Sequence, residues 1–182
     1  MKSCVKIRVS PYFVFIFCVI AYFGHARFVG AAVLAVLCHE TGHLLYYSMM
    51  GKQVHEVRFD VCGALIRAVP LGRWEEICCA WFGPLTNLVL ALLFWQRFTM
   101  FAAANLCLGL FNLLPVYPLD GGRLLAGFLP GRVVKFIGSG VCLFLALAFF
   151  SLCIVKRWGL WPGLLAAFLL NRVWTLGQKE DN

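Results

Sequence analysis

The segment His39-Glu40-Thr41-Gly42-His43 contains the side chains of this sequence that are best suited to chemistry. Residues four apart in an α-helix project from one face, so the two histidines could bind one metal ion through a ring nitrogen each, with Glu40 beside them. Zinc takes imidazole ligands and lowers the pKa of a bound water, and a carboxylate that is not a ligand can then accept a proton as water attacks a carbonyl. The segment therefore predicts a hydrolytic zinc site with Glu40 as general base.

Hydrophobic segments must position these residues, because the composition does not suit a water-soluble protein. Of the 182 residues, 62% are hydrophobic and 13% are charged, and a soluble domain carries about twice that share of charge. Most apolar runs approach the ~20 residues that a helix needs to cross a bilayer. We therefore predict an all-α membrane protein with one domain over 1–182 and about six transmembrane helices, at 11–25, 28–50, 74–96, 98–115, 133–155 and 158–176.

The connection between the second and third predicted spans has a different pattern. From Val54 to Val61, apolar and polar residues alternate, which is the period of a strand. Cys62-Gly63-Ala64 then predicts a turn, and a second extended stretch follows from Leu65 to Val69. We expect a small β-hairpin or a re-entrant strand segment at the membrane surface.

Basic residues are distributed unequally between the two sides of the membrane. Six spans would place twelve of the sixteen Lys and Arg residues on one side, which predicts that both termini lie in the cytoplasm. These residues are scattered singly between apolar segments. The net charge of +8 therefore indicates anchors at the surface of a lipid bilayer, and we expect no binding of nucleic acid.

A third zinc ligand must come from another part of the chain, because catalytic zinc takes three protein ligands and keeps one position open. Most of the other acidic residues and histidines fall in polar segments or at predicted helix ends, which leaves Asp120. The sequence Asp120-Gly121-Gly122 is also typical of a simple turn. The predicted topology favours the ligand, because it places His43 and Asp120 in the cytoplasmic half of the membrane.

Three sequence elements, in this order, resemble the site-2 protease family of intramembrane zinc metalloproteases, peptidase family M50. They are the segment 39–43, the segment Phe82-Gly83-Pro84-Leu85-Thr86-Asn87, and the segment Asn112-Leu113-Leu114-Pro115 that leads to Asp120-Gly121-Gly122. The short form with six spans is most similar to the bacterial sporulation members. The resemblance implies one Zn²⁺ per chain, held by His39, His43 and Asp120. Some members of the family carry a CBS or a PDZ domain, and we expect neither in this sequence.

Three further residues are candidates for substrate binding. Asn87 follows a Gly-Pro pair, which breaks or kinks a membrane helix and frees backbone groups, although the kink alone is an equal alternative. The resemblance suggests that Asn112 contacts the substrate or the site, and the alternative is an amide that joins two helices. Gly63 could let a substrate strand approach closely, as an edge strand does in this family.

The preferred hypothesis is an intramembrane zinc endopeptidase that cleaves a membrane-associated or single-span protein near the cytoplasmic face. The resemblance suggests a bacterial cell membrane or forespore-surrounding membrane, a pro-sigma factor or anti-sigma factor as substrate, and an inhibitory membrane protein as partner. Two alternatives are a divalent-metal transporter with the same ligands and a non-catalytic member of the family. Glu40 favours the protease, because a transporter needs no base that is not a ligand.

Overall fold

The computed structural model of the chain describes residues 6–11, 26–60 and 63–156. By contacts, the chain divides into two compact units, Met1–Asn112 and Leu113–Asn182. The first unit contains three strands and three helices, and the second contains two helices, within the described residues. The elements are β1 (Lys6–Val9), α1 (Ala26–Met49), β2 (Val54–Asp60), β3 (Gly63–Ala68), α2 (Arg73–Phe94), α3 (Thr99–Asn112), α4 (Asp120–Phe128) and α5 (Gly131–Lys156).

Among the described residues, segments of three helices are long and apolar enough to cross a membrane: Arg27–Met49, Arg73–Phe94 and Gly131–Ala148. They correspond to the predicted second, third and fifth spans. Helix α3 has 14 residues, so it is about 21 Å long and shorter than a hydrocarbon core of ~30 Å. The fourth span was therefore predicted too long. The first and sixth predicted spans lie outside the described residues, apart from Pro11.

The predicted hairpin is part of a three-stranded sheet in the order β1-β2-β3. Strands β2 and β3 are antiparallel, and Asp60 pairs with Gly63. The alternation of residues correctly indicated two strands, but the turn expected over 62–64 was wrong, because Gly63 and Ala64 already belong to the ladder. Strand β1 pairs in parallel with β2, with Lys6 opposite Glu56. The prediction of an all-α protein with a hairpin missed this third strand.

Close contacts between helices form the core of the first unit, where α1, α2 and α3 all pack against one another. A Cβ atom at Gly42 of α1 would lie 2.5 Å from Oγ1 of Thr86 and 2.6 Å from the carbonyl oxygen of Phe82. A Cβ atom at Gly109 of α3 would lie 3.2 Å from Cβ of Asn87. Membrane helices associate through such contacts of small residues, because lipid tails are as apolar as the side chains that they would replace.

The second unit begins with a tight turn that leads into α4, which contacts α5. A Cβ atom at Gly121 would overlap the carbonyl oxygen of Leu113, and one at Gly122 would overlap the backbone nitrogen of Tyr117. Only glycine therefore fits at both positions. The two glycines let the preceding backbone fold onto the start of α4, where Asp120 is the first residue.

Candidate metal centre

His39 and His43 lie one turn apart on α1, and both side chains are buried. Their Nε2 atoms are 3.2 Å apart, and the planes of the two rings are nearly perpendicular, at 83°. This is the arrangement expected from their spacing on one helix face. Glu40, the neighbour of His39 in the same helix, is buried as well.

The other ring nitrogen of each histidine contacts an oxygen atom of α2. Nδ1 of His39 lies 2.5 Å from Oδ1 of Asn87, and Nδ1 of His43 lies 2.9 Å from the carbonyl oxygen of Cys79. Amide and carbonyl oxygens accept hydrogen bonds and cannot donate them, so each Nδ1 atom must carry a proton. In the neutral ring, Nε2 then keeps its lone pair, which is the form that binds a metal ion.

The distance between the two Nε2 atoms fits a tetrahedral zinc ion. With Zn–N bonds of about 2.05 Å, two imidazole ligands of one zinc have their nitrogens about 3.3 Å apart. The separation of 3.2 Å in this protein is close to that value. The spacing of the two histidines therefore fits half of a tetrahedral zinc site, and their role as zinc ligands stays a prediction.

Gly83 of α2 leaves the space that the two imidazole rings occupy. A Cβ atom at this position would overlap Nε2 of His43 and would lie 2.8 Å from Cε1 of His39. Helix α2 is continuous from Arg73 to Phe94, with Pro84 inside it. The Gly-Pro pair therefore does not break the helix, as the sequence had suggested it could, and its glycine serves the packing of the two histidines.

Asp120 lies in the second unit, where its side chain is buried. Arg123 donates a hydrogen bond from Nη1 to Oδ1 of Asp120, with an N···O distance of 3.2 Å. A negative charge is also favourable in the first turn of a helix, because the backbone N–H groups point towards it. The Asp-Gly-Gly sequence therefore begins a helix with a buried carboxylate, and a zinc-binding role for Asp120 stays a prediction.

Comparisons with known proteins find relatives that match part of this chain. The chain is 31% identical over 136 residues to stage IV sporulation protein FB of Bacillus subtilis, an alignment that covers 66% of this chain and 46% of that protein. Residues 94–154 match the model of peptidase family M50. Over this part of its length, the chain is similar to peptidase family M50.

Further relatives of this chain come from an archaeon, Methanocaldococcus jannaschii. A zinc metalloprotease of this organism is 27% identical over 109 residues, which cover 53% of this chain and 32% of that protein. The structure of a site-2 protease from the same organism matches with a TM-score of 0.69 and 18% identity, over 94% of this chain and 90% of that chain. The structural match shows a shared fold. The chain spans less than half the length of the curated relatives named here.

Asn87 is completely buried in α2, and its amide contacts groups of the other two helices of the first unit. Oδ1 faces His39 of α1. Nδ2 donates to the carbonyl oxygen of Ala35 at 3.0 Å and to Oδ1 of Asn105 in α3 at 2.8 Å. These contacts make Asn87 a neighbour of a metal-ligand candidate, whereas its predicted contact with substrate is not tested.

Asn105 is the residue of this site that the sequence interpretation missed. It is completely buried in α3 and faces Asn87. A signal was present, because an uncharged amide inside the apolar run Thr99–Asn112 is costly to bury unless it has hydrogen-bond partners. Unlike Asn87 and Asn112, Asn105 lies in none of the three sequence elements that resemble the family.

The remaining two candidates, Asn112 and Gly63, lie in different parts of the first unit. Asn112 is the last residue of α3, and its Nδ2 donates to the carbonyl oxygen of Leu108 at 3.1 Å. Gly63 is the first residue of β3, which is an edge strand among the described strands. Their roles in substrate binding stay predictions.

Proposed function

We propose that this chain is an intramembrane zinc metalloendopeptidase that hydrolyses a peptide bond of a membrane-associated protein near the cytoplasmic face. In this proposal, His39, His43 and Asp120 hold one Zn²⁺ ion and Glu40 is the general base. Both termini lie in the cytoplasm. The proposal combines the similarity to family M50 with the chemistry of the buried side chains.

One observation carries the proposal. Two buried imidazole rings on α1 have protonated Nδ1 atoms and direct their Nε2 lone pairs at each other across 3.2 Å. A structural histidine pair would place a proton between the two nitrogens, whereas these two rings each use their proton on α2. This tautomer and this spacing suit two imidazole ligands of one zinc ion, and a buried carboxylate, Glu40, follows directly after the first histidine.

The side chains of the site have separate tasks in hydrolysis. Zinc, when bound, supplies a Lewis acid that polarises the scissile carbonyl and lowers the pKa of a water molecule. The Glu40 carboxylate accepts a proton from the attacking water. The same carboxyl group then gives this proton to the amide nitrogen as the C–N bond breaks, so the products are a carboxylate and an amine. Burial of Glu40 keeps bulk water from competing for the proton.

We propose a single-span or otherwise membrane-associated protein as the substrate class. Because a peptide bond inside a helix is shielded, the substrate must be locally extended at the cleavage point. The strands over 54–68 lie directly after α1 and could hold such an extended segment, with Gly63 at a position of close approach. A pro-sigma factor or an anti-sigma factor is the narrower proposal, with an inhibitory membrane protein as a further partner.

Replacement of Glu40 by Gln tests the proposed function. The purified full-length protein in detergent is loaded with zinc and incubated with fluorogenic single-span peptides. We expect Glu40→Gln to retain one zinc per chain and to lose cleavage by roughly 10²- to 10⁴-fold, the usual contribution of a general base. Glu76→Gln, at an exposed acid of α2, is the matched control and should cleave normally.

The same proteins distinguish the alternatives. If the protein is a transporter, the wild type and Glu40→Gln would move zinc into sealed vesicles at the same rate, and neither protein would cleave the peptides. A non-catalytic protein would bind zinc without flux or cleavage. Cleavage by Glu40→Gln at the wild-type rate would show that the general base is a different residue.

A further inference from the structure

We propose that Asn105 is a positioning residue, which acts through Asn87 to fix the proton of His39 on Nδ1 and so keeps Nε2 available to zinc. This inference rests on the proposed zinc site. It assigns a function to a buried amide on α3 that is connected to His39 through the side chain of Asn87.

The orientation of Asn105 is set by its own helix. Its Nδ2 donates to the carbonyl oxygen of Phe101 at 2.9 Å. A backbone carbonyl can only accept, so the NH₂ group of Asn105 must face Phe101 and its Oδ1 must face away. This Oδ1 atom lies 2.8 Å from Nδ2 of Asn87. Asn105 therefore presents an acceptor to Asn87.

The orientation of Asn87 follows from two acceptors. Its NH₂ group has two hydrogens, one for Oδ1 of Asn105 and one for the carbonyl oxygen of Ala35. With both hydrogens used, Oδ1 of Asn87 is the only part of the amide that can face Nδ1 of His39. The fixed direction of the Phe101 carbonyl is thereby transmitted through two amides to the imidazole ring.

The reversed arrangement would disable the metal ligand. An Asn87 amide turned by 180° would offer an N–H to His39, and Nδ1 would have to become an acceptor. The neutral ring would then carry its proton on Nε2, which cannot bind a metal in that form. The Nε2–H group of His39 would also point at Nε2 of His43 and would occupy the space between the two ligand atoms.

Burial makes the chain of amides effective. Asn87 and Asn105 are both 0% exposed, so water does not compete for their hydrogen bonds, and an N–H group left without an acceptor there is costly. Gly109 lies one turn after Asn105 on α3, and its missing side chain lets that face of the helix approach Asn87 closely.

His43 provides an internal comparison. Its Nδ1 donates to the backbone carbonyl of Cys79, whose direction is fixed by helix α2 itself. His43 therefore needs no side chain to choose its tautomer. Only His39 depends on an amide that can turn, and only His39 is connected to Asn105.

The test measures zinc affinity of full-length variants in detergent by competition with a fluorescent chelator. Asn105→Leu keeps the shape of the side chain but removes its acceptor, and we expect about tenfold weaker binding, because the carbonyl of Ala35 still holds Asn87. Asn105→Asp keeps an acceptor for Asn87 in either protonation state, so zinc affinity should stay within about threefold of wild type. Ala102→Gly, at a completely buried alanine one turn away, is the control for lost packing and should also stay within about threefold.

A double-mutant comparison separates positioning from packing. Asn87→Leu should weaken zinc binding by about 10- to 100-fold. If Asn105 acts through Asn87, the double variant binds zinc no more weakly than Asn87→Leu alone. A double variant that shows the product of the two single losses would contradict the inference, as would wild-type affinity of Asn105→Leu.

The tautomer can be measured without zinc. In the metal-free protein, ¹⁵N chemical shifts of the imidazole nitrogens should show His39 protonated on Nδ1, and Asn105→Leu should show a mixture of the two tautomers, with His43 unchanged. An unchanged His39 spectrum in that variant would overturn the inference. A wild-type protein that binds no zinc would instead contradict the proposed function, and this spectrum would still test the amide chain.

Discussion

The first unit contains two polar clusters of very different character. The buried cluster consists of Asn105, Asn87, His39 and His43, in the core between α1, α2 and α3. The sheet cluster consists of Glu56 of β2 with Arg8 and Arg67 of the two neighbouring strands, at N···O distances of 3.1 Å and 3.4 Å. The side chains of Arg8 and Arg67 are 67% and 66% exposed.

The two clusters use different physics. In the sheet cluster, charges attract whatever the precise direction of the side chains, and water competes for each of them. In the buried cluster, each contact between side chains of different helices needs a hydrogen on one side and a lone pair on the other. The direction in which each donor and acceptor points therefore matters only in the buried cluster. A small change there should affect metal binding far more than the loss of an ion pair on the sheet.

The largest effect is expected for Gly83→Ala. The new methyl group would overlap the ring of His43, and α2 carries this position in a continuous helix that cannot turn it away. We expect zinc binding and proteolysis to be lost, as measured by metal content after gel filtration and by peptide cleavage. Gly30→Ala, at a glycine of α1 with open space around it, should bind zinc normally. Full zinc content of Gly83→Ala would show that the histidines need less space than the structure gives them.

A comparably strong effect is expected for Asp120→Asn. Asn has nearly the same shape but no negative charge, so the variant separates the proposed third-ligand role of Asp120 from its place at the start of α4. Loss of a group that only hydrogen-bonds to a metal ligand weakens metal binding by up to roughly 100-fold. Zinc affinity of Asp120→Asn should fall by more than this, and turnover should be lost. Normal zinc stoichiometry together with normal activity would remove Asp120 from the site.

The smallest effect is expected for Glu56→Gln in the sheet cluster. The change removes the attraction to two exposed arginines, which contributes about 0–1 kcal/mol per pair to stability. Thermal unfolding in detergent should change little, and zinc affinity should equal that of wild type. A loss of zinc affinity in this variant would show that the sheet and the metal site are coupled, and the contrast between the two clusters would not hold.

Much of the site could be predicted because it depends on short-range patterns. The apolar run around residues 39–43 and the spacing of the two histidines predict one helix with two imidazoles on one face. The alternation over 54–60 predicts a strand in the same way. The spacing of the histidines and the alternation each extend over fewer than ten residues and need no knowledge of other segments.

The parts that could not be predicted depend on contacts between distant segments. Strand β1 has four residues, and its partner in β2 is about 50 positions away. Asn105 looks like an isolated polar residue until α3 is placed against α2. Gly83 suggested a kink because proline follows it, and only the packed helices show that its neighbours are two imidazole rings.

The two glycines that face the contact between α1 and α2 have a consequence for how this protein tolerates change. Gly42 faces Thr86, and Gly83 faces His43, so neither position has room for a methyl group. In a saturation mutagenesis experiment, these two positions should accept fewer substitutions than the exposed Thr41 or Leu85 nearby. Sites without any functional group would then set the strictest limits on the sequence, because they fix how far apart the helices that carry the chemistry can be.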